Sequence, residues 1–225
     1  MAILRSSRAP RRLKRPPTGL LILPEHPRSG TLTRSTETAG VERDLVERAA
    51  HGDQAAFESL VRLSAGRLFS IAYRILRDHH LAEDALQQTL ITIWDELPRL
   101  RDPDRFDAWA YRLIVRTSTA QARRERRGGA IVRLLPDDAD ASRAPDDIGL
   151  VADRDQLERG FRRLSPEQRA ILVLQHYVGL PLAEIADVIG IPVGTAGSRL
   201  HYATRALRAA LDADARTDDP KERTA

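Results

Sequence analysis

Apolar residues recur at spacings of three and four along two long segments, and this periodicity restricts the chain to helical folds. The pattern begins at Val41 and continues to about Arg127, then resumes near Leu157 and continues to about Leu211. A spacing of three and four places the apolar side chains on one face of a helix. No stretch shows the alternation of apolar and polar residues that a strand requires. We therefore predict an all-α protein with two small helical domains.

Glycines, prolines and aspartates replace the periodic pattern between the two segments, which indicates an acidic, flexible linker. Its aspartates are Asp137, Asp138, Asp140, Asp146 and Asp147. The predicted organisation is a disordered basic arm (1–40), a first helical domain (41–127), the linker (128–151), a second helical domain (152–211) and a polar tail (212–225). The arm is rich in arginine and proline; it is either a solvated tail or a contact for nucleic acid.

Composition excludes several classes of function. The 225 residues contain no cysteine, which removes disulfides, thiolate catalysis and cysteine-ligated zinc and favours a reducing cytoplasm. The six histidines have no metal-like spacing, and the chain has no nucleophile–base set or phosphate-binding glycine loop. The longest apolar core near the N-terminus, residues 20–23, is too short for a signal peptide or a membrane span. We expect a cytoplasmic protein without membrane insertion, enzymatic activity, metal or cofactor.

Several residues have the chemistry of helix ends. Asp78 is suited to cap a helix that Pro98 terminates, and a hinge is expected at residues 51–53. Ser165 and Gln168 stand three residues apart, as in the reciprocal capping motif at a helix start.

The stretch "IADVIGIPVGTAGSRLHYATRAL", residues 185–207, contains two helical patterns interrupted by Gly190 and Pro192. A tight turn there would form a helix-turn-helix whose second helix enters a DNA major groove. An ordinary helical hairpin would give the same pattern. The predicted DNA-facing residues are Thr195, Ser198, Arg199, His201, Tyr202 and Arg205.

Two motif sets in one order carry a family resemblance. "LAEDALQQTLITIWDELPRLRDPDRFDAWAYRLIVRTSTAQARRERR", the acidic linker and "LSPEQRAILVLQHYVGLPLAEIADVIGIPVGTAGSRLHYATRAL" resemble the extracytoplasmic function group of sigma-70-family sigma factors. The resemblance covers about residues 41–211. It implies a region-2 domain and a region-4 domain that bind core RNA polymerase and a bipartite promoter. It also implies an anti-sigma factor as partner.

The resemblance assigns roles to two sets of residues in the first domain. The segment "LAEDALQQTL" would dock on the polymerase, through Glu83, Asp84, Gln87 and Gln88; a merely solvated helix face is the alternative. The loop "LPRLRDPDRF" and the helix after it would hold the minus-ten element. The residues are Arg99, Arg101, Arg105, Arg112, Arg116, Arg123 and Arg124.

Aromatic residues near this loop divide into two expected groups. We expect Trp94 and Trp109 to belong to the core, because they lie on the apolar stripes. Phe106 or Tyr111 could stack on an unpaired base.

The chain departs from the family pattern at three positions. Arg116 stands where many members have asparagine, and Gly197 and Tyr202 stand where the family has basic residues. These changes predict altered promoter contacts, and Gly197 could let the DNA backbone approach closely.

Three classes of function remain to be distinguished. A sigma factor is the first, a free-standing helix-turn-helix regulator the second and a protein-binding adaptor the third. For a sigma factor, the acidic linker is either a spacer or a mimic of nucleic acid in a polymerase channel.

Overall fold

A computed structural model describes residues 36–128 and 148–217 of the chain. The basic arm up to residue 35, residues 129–147 with all five linker aspartates, and residues 218–225 lie outside the described residues. The described parts form eight α-helices and contain no strand, which confirms the all-α prediction. The helices are α1 (Thr36–Ala50), α2 (Gln54–Leu76), α3 (His79–Glu96), α4 (Phe106–Gly128), α5 (Ile148–Arg163), α6 (Pro166–Leu172), α7 (Leu182–Ile189) and α8 (Val193–Thr217).

Some helices extend beyond the predicted domain limits. Helix α1 begins before Val41, α5 begins inside the range predicted for the linker, and α8 continues past residue 211. The apolar stripe marks the part of a helix that packs on other elements, whereas backbone hydrogen bonds can continue past the last buried side chain.

Helices α1 to α4 pack around one apolar core. Phe57 of α2 is fully buried and meets the ring of Trp94 edge to face, with 4.6 Å between ring centroids. Ile71, Ile93 and Ile114 contribute fully buried side chains from α2, α3 and α4. Burial of these large side chains is the main stabilising contribution to this bundle.

The turns between the first helices follow local side-chain chemistry. Asp53 accepts a hydrogen bond from the Ala56 N–H and caps α2, in the predicted hinge. Asp78 accepts one from the Leu81 N–H, which confirms it as the cap of α3. Between these helices Arg77 adopts a left-handed conformation with φ of 61°. Glycine usually occupies such positions, so the sequence did not indicate this turn.

Helices α5 to α8 form the second bundle. The Ser165 hydroxyl accepts from the Gln168 N–H, and the Gln168 side chain accepts from the Ser165 N–H, which confirms the predicted capping motif. A short π-helical segment, Val173–Val178, follows α6 and was not expected from the sequence. Gly160 brings α5 close to α8, because a Cβ there would lie 2.9 Å from a terminal methyl carbon of Leu211.

The helix-turn-helix consists of α7 and α8. Gly190 ends α7 with φ of +76°, a backbone conformation that other residues rarely adopt, as the sequence predicted. Pro192 then precedes the first residue of α8, and its carbonyl accepts from the Ala196 N–H.

The two bundles contact each other directly. Helices α6 and α7 pack against α4, and α6 also packs against α2. Nothing in the sequence predicted this packing, because the domains were expected to be joined flexibly. No helix within the described ranges is long and apolar enough to cross a membrane.

Candidate nucleic-acid and polymerase interfaces

Helix α3 carries a continuous outward stripe of mostly polar residues. Its exposed members are Asp84, Gln87, Gln88, Ile91 and Asp95, and Glu83 is half-buried beside them. Three of the four residues predicted to contact polymerase are therefore exposed, and the fourth lies at the edge of the stripe. The predicted list omitted Ile91, which is 44% exposed. The sequence contained a sign of this exposure. Ile91 stands four residues after Gln87 and seven after Asp84, so it lies on the same outward face of the helix.

The carboxylate of Glu83 lies between two histidines at the start of α3. Nδ1 of His79 and Nδ1 of His80 are 3.6 and 3.7 Å from its oxygens. The ligand atoms of the three residues all lie within 4.8 Å of one another, although the sequence spacing did not suggest a metal site. The partial positive charge of a helix N-terminus disfavours a cation here.

The seven arginines predicted to hold the minus-ten element are all exposed. Arg112, Arg116 and Arg123 recur at intervals of four and seven along α4, so they share one face of that helix. Arg99 and Arg101 lie in the loop that joins α3 to α4, and Arg105 ends that loop. Asp102 accepts from the Asp104 N–H and so fixes the turn that leads into α4. We call Arg105, Arg112, Arg116 and Arg123 the arginine stripe.

The two aromatic residues predicted to stack on a base, Phe106 and Tyr111, are buried. Phe106 is 2% exposed and Tyr111 is 5% exposed, so the predicted stacking role for either is wrong. Both lie on the side of α4 that packs into the core. Trp94 is buried as predicted, and Trp109 is half-buried and packs against the core, 6.1 Å from the Phe106 ring.

Carboxylates of the second bundle reach both ends of the arginine stripe. The Arg123 Nε–H donates to Glu167 Oε1 at 2.8 Å, and Arg105 Nη2 lies 3.7 Å from Asp187 Oδ2. Partial burial opposes ionisation of Glu167, but hydrogen bonds from its own backbone N–H and from Arg123 outweigh this effect and lower its pKa. Glu167 is therefore ionised at neutral pH and pairs with the guanidinium.

The DNA-facing residues predicted on α8 form an exposed set. Ser198, Arg199, His201, Tyr202 and Arg205 are exposed. Thr195 is half-buried, and its carbonyl accepts from the Ser198 hydroxyl at 3.0 Å. Tyr202 is 63% exposed and lies beside His201, with 5.9 Å between ring centroids. The set offers hydroxyl, imidazole and guanidinium groups, which can bind base edges and phosphates.

Gly197 lies on the side of α8 that approaches α7. A Cβ built at this position would lie 3.5 Å from Leu182 Cδ2, an ordinary van der Waals distance. An alanine therefore fits here without displacing its neighbours.

We predict that Gly197→Ala stabilises the protein by up to about 1 kcal/mol, because glycine costs roughly that amount in a helix interior. Thermal unfolding of the two proteins measures the gain. If the DNA backbone approaches Gly197 closely, the alanine variant must bind a promoter duplex more weakly than wild type. Equal affinity of the two proteins would show that Gly197 has no such role.

The fold and these surfaces define a two-domain, all-α DNA-binding protein with a helix-turn-helix in its second domain. Residues 60–128 match the family Sigma-70 region 2, and residues 154–207 match Sigma-70, region 4. The chain is 33% identical to the ECF RNA polymerase sigma factor SigL of Mycobacterium tuberculosis, over 74% of this chain and 94% of that protein. It is 35% identical to the ECF RNA polymerase sigma factor SigE of Mycolicibacterium smegmatis, over 71% of this chain and 64% of that protein.

A solved structure shows the same fold. CnrH, determined in complex with the cytosolic domain of CnrY, is similar over 77% of this chain and 99% of its own, with 27% identity and a TM-score of 0.55. The chain belongs to the extracytoplasmic function group of the sigma-70 family.

Proposed function

We propose that this protein is an RNA polymerase sigma factor that binds core polymerase, recognises a bipartite promoter and promotes strand opening. The observation that carries the proposal is the presence of two separate cationic surfaces on one chain, the arginine stripe along α4 and the loop before it, and the exposed set on α8. A free-standing regulator needs only the second. The chain contributes recognition, and the polymerase supplies nucleotidyl transfer.

For the minus-thirty-five element, α8 would enter the major groove with α7 packed behind it. Arg199 and Arg205 are exposed and carry the charge for phosphates or guanine edges. Ser198, His201 and Tyr202 supply shorter-range hydrogen bonds. Because position 197 has no side chain, the neighbouring exposed residues would provide most of the sequence discrimination.

For the minus-ten element, the arginine stripe would follow the phosphates of the non-template strand. Phe106 and Tyr111 are buried, so capture of an unpaired base would depend on the loop that joins α3 to α4. Arg99 and Arg101 are exposed in this loop and can hold the displaced strand beside it.

For the polymerase, the outward stripe of α3 offers carboxylates and amides around one exposed apolar side chain, Ile91. Charge complementarity would select the partner, whereas burial of Ile91 would supply much of the affinity. An anti-sigma factor that covered this stripe or the arginine stripe would keep the protein inactive.

Transcription with purified core polymerase on a library of genomic promoter fragments tests the proposal. We expect transcripts that start only when the protein is added, with a shared pair of upstream elements. Duplex binding without polymerase, as a dimer on two half-sites and with no new transcripts, would instead support the free-standing regulator.

We predict that Ile91→Asp weakens core polymerase binding by roughly 10- to 100-fold, the usual effect of removing an interface anchor. A matched control is Leu157→Asp, which makes the same change at an exposed side chain of α5. Titration of labelled protein with core polymerase measures both affinities. Equal affinities for the two variants would mean that the α3 stripe is a solvated face.

A further inference from the structure

Both ends of the arginine stripe are already bound to anionic groups in the free protein. Glu167 of α6 accepts a hydrogen bond from Arg123, and a carboxylate oxygen of Asp187 of α7 lies 3.7 Å from Arg105 Nη2, an ion-pair distance beyond hydrogen-bond range. A carboxylate pairs with a guanidinium through the same donors that bind a phosphate. Glu167 therefore occupies a donor that would otherwise contact a phosphate, and Asp187 places a competing negative charge beside Arg105.

Further contacts extend this interface beyond the two ion pairs. The guanidinium carbon of Arg74 lies 3.7 Å from the centre of the Tyr177 ring, a cation–π distance, and Arg77 pairs with Glu158. Helix α7, the first helix of the helix-turn-helix, packs along α4. The interface thus joins the two domains through several independent elements.

The same arrangement leaves the other two functional surfaces open. Arg199, Tyr202 and Arg205 on α8 remain exposed, as do Gln87 and Ile91 on α3. Contact between the domains consequently affects the arginine stripe and spares the minus-thirty-five and polymerase surfaces.

A buried charge opposes this closed arrangement. Arg169 of α6 is only 7% exposed, and its Nε has no hydrogen-bond partner among the described residues. Burial lowers the pKa of Arg169 to about 10, and the charges of Arg126 and Arg77 act in the same direction. The side chain therefore stays charged while it is buried near the like charges of Arg126 and Arg77, and the carboxylate of Glu167 offsets only part of this unfavourable effect. This unfavourable charge offsets part of the stabilisation that the other contacts between the domains supply.

We propose that Glu167 and Asp187 are internal competitors of promoter DNA, which hold the domains closed until a polyanion takes their place on the arginine stripe. The proposal rests on the proposed role of that stripe in minus-ten binding. DNA has the advantage of many phosphates, whereas the second bundle, as far as the structure describes it, places two carboxylates at the stripe. The carboxylates cover only the minus-ten surface. The protein with its domains in contact could therefore bind the minus-thirty-five element or the polymerase first, and its domains would separate afterwards.

The test is the double variant Glu167→Gln/Asp187→Asn in the full chain, with Glu184→Gln as a control that removes a single carboxylate. Glu184 is an exposed carboxylate on α7, like Asp187, so its removal reports the general effect of lost negative charge. Fluorescence anisotropy with labelled, mixed-sequence single-stranded DNA measures binding. We expect the double variant to bind roughly three- to tenfold more tightly than wild type, the range for two exposed ion pairs. The control should change binding much less.

Separation of the two domains can be measured independently of DNA binding, as the distance between two spin labels. The chain has no cysteine, so Arg62→Cys and Arg208→Cys, at exposed positions of α2 and α8, accept spin labels selectively. We expect the double variant, or added single-stranded DNA, to lengthen the distance between the labels. An unchanged distance, or a gain in binding matched by Glu184→Gln, would overturn the proposal. If the distance lengthens but DNA binding does not improve, the carboxylates close the domains without competing with DNA, and the proposal is also overturned.

Arg112→Gln/Arg116→Gln tests the underlying assignment separately. If this variant binds single-stranded DNA as well as wild type, the minus-ten surface itself is misplaced, whatever the distances show. If it binds more weakly, the stripe is correct and the other measurements decide the competition.

Discussion

Replacing Arg112 and Arg116 by glutamine should lower formation of open promoter complexes by roughly 10- to 100-fold. Both side chains are exposed on the central part of the arginine stripe. Loss of two cationic phosphate contacts removes counterion release as well as direct attraction. The plot of log affinity against log salt should therefore become shallower by about one unit for each arginine removed. Quantitative footprinting of the opened strand at several salt concentrations measures both effects.

The control is Arg62→Gln, which removes one positive charge, where the double variant removes two, from an exposed position on α2. It should change opening only slightly. Binding to core polymerase should be unaffected in both proteins, because the proposed docking stripe is on α3. Equal losses of opening in the two variants would mean that net charge, and not the arginine stripe, governs the interaction.

Phe57→Ala should destabilise the first bundle by about 3 to 5 kcal/mol, the usual loss when a buried phenylalanine is truncated. The side chain has no exposed surface, and its ring packs edge to face with that of Trp94, with 4.6 Å between the ring centroids. Since a small domain is typically stable by only about 5 to 15 kcal/mol, this variant would lose much of its folded population on warming. Denaturant unfolding followed by tryptophan fluorescence gives the difference.

Leu63→Ala on the same helix is the comparison for this second prediction. Leu63 is 53% exposed, so its truncation should cost well under about 1 kcal/mol. A similar loss in both variants would mean that Phe57 is not packed in a rigid core.

Local features of the fold were readable from the sequence. Asp78, Ser165 with Gln168, and Gly190 act at helix ends through hydrogen bonds or backbone conformations that involve residues a few positions away. The helix-turn-helix and the exposed set on α8 follow from the same short-range rules.

Other features were missed because the pattern of residue types is ambiguous. Phe106 and Tyr111 are aromatic residues beside a DNA-binding loop, and only the packing of α4 decides that both are buried. Ile91 has an apolar side chain but lies outside the buried face of α3. Arg77 adopts its left-handed conformation in the turn between α2 and α3. An arginine in the sequence does not predict such a conformation.

The sequence by itself determined that the described parts of the chain are helical, several of its helix ends, and which family it resembles. These properties depend on periodicity and on capping groups close together in the chain. Only the tertiary structure decided that Glu167 and Asp187 lie on Arg123 and Arg105 and that Arg169 is buried near Arg77 and Arg126. Such pairs join residues far apart in sequence, and charge alone does not select among the many exposed arginines and carboxylates, because solvent screens them until packing brings two together.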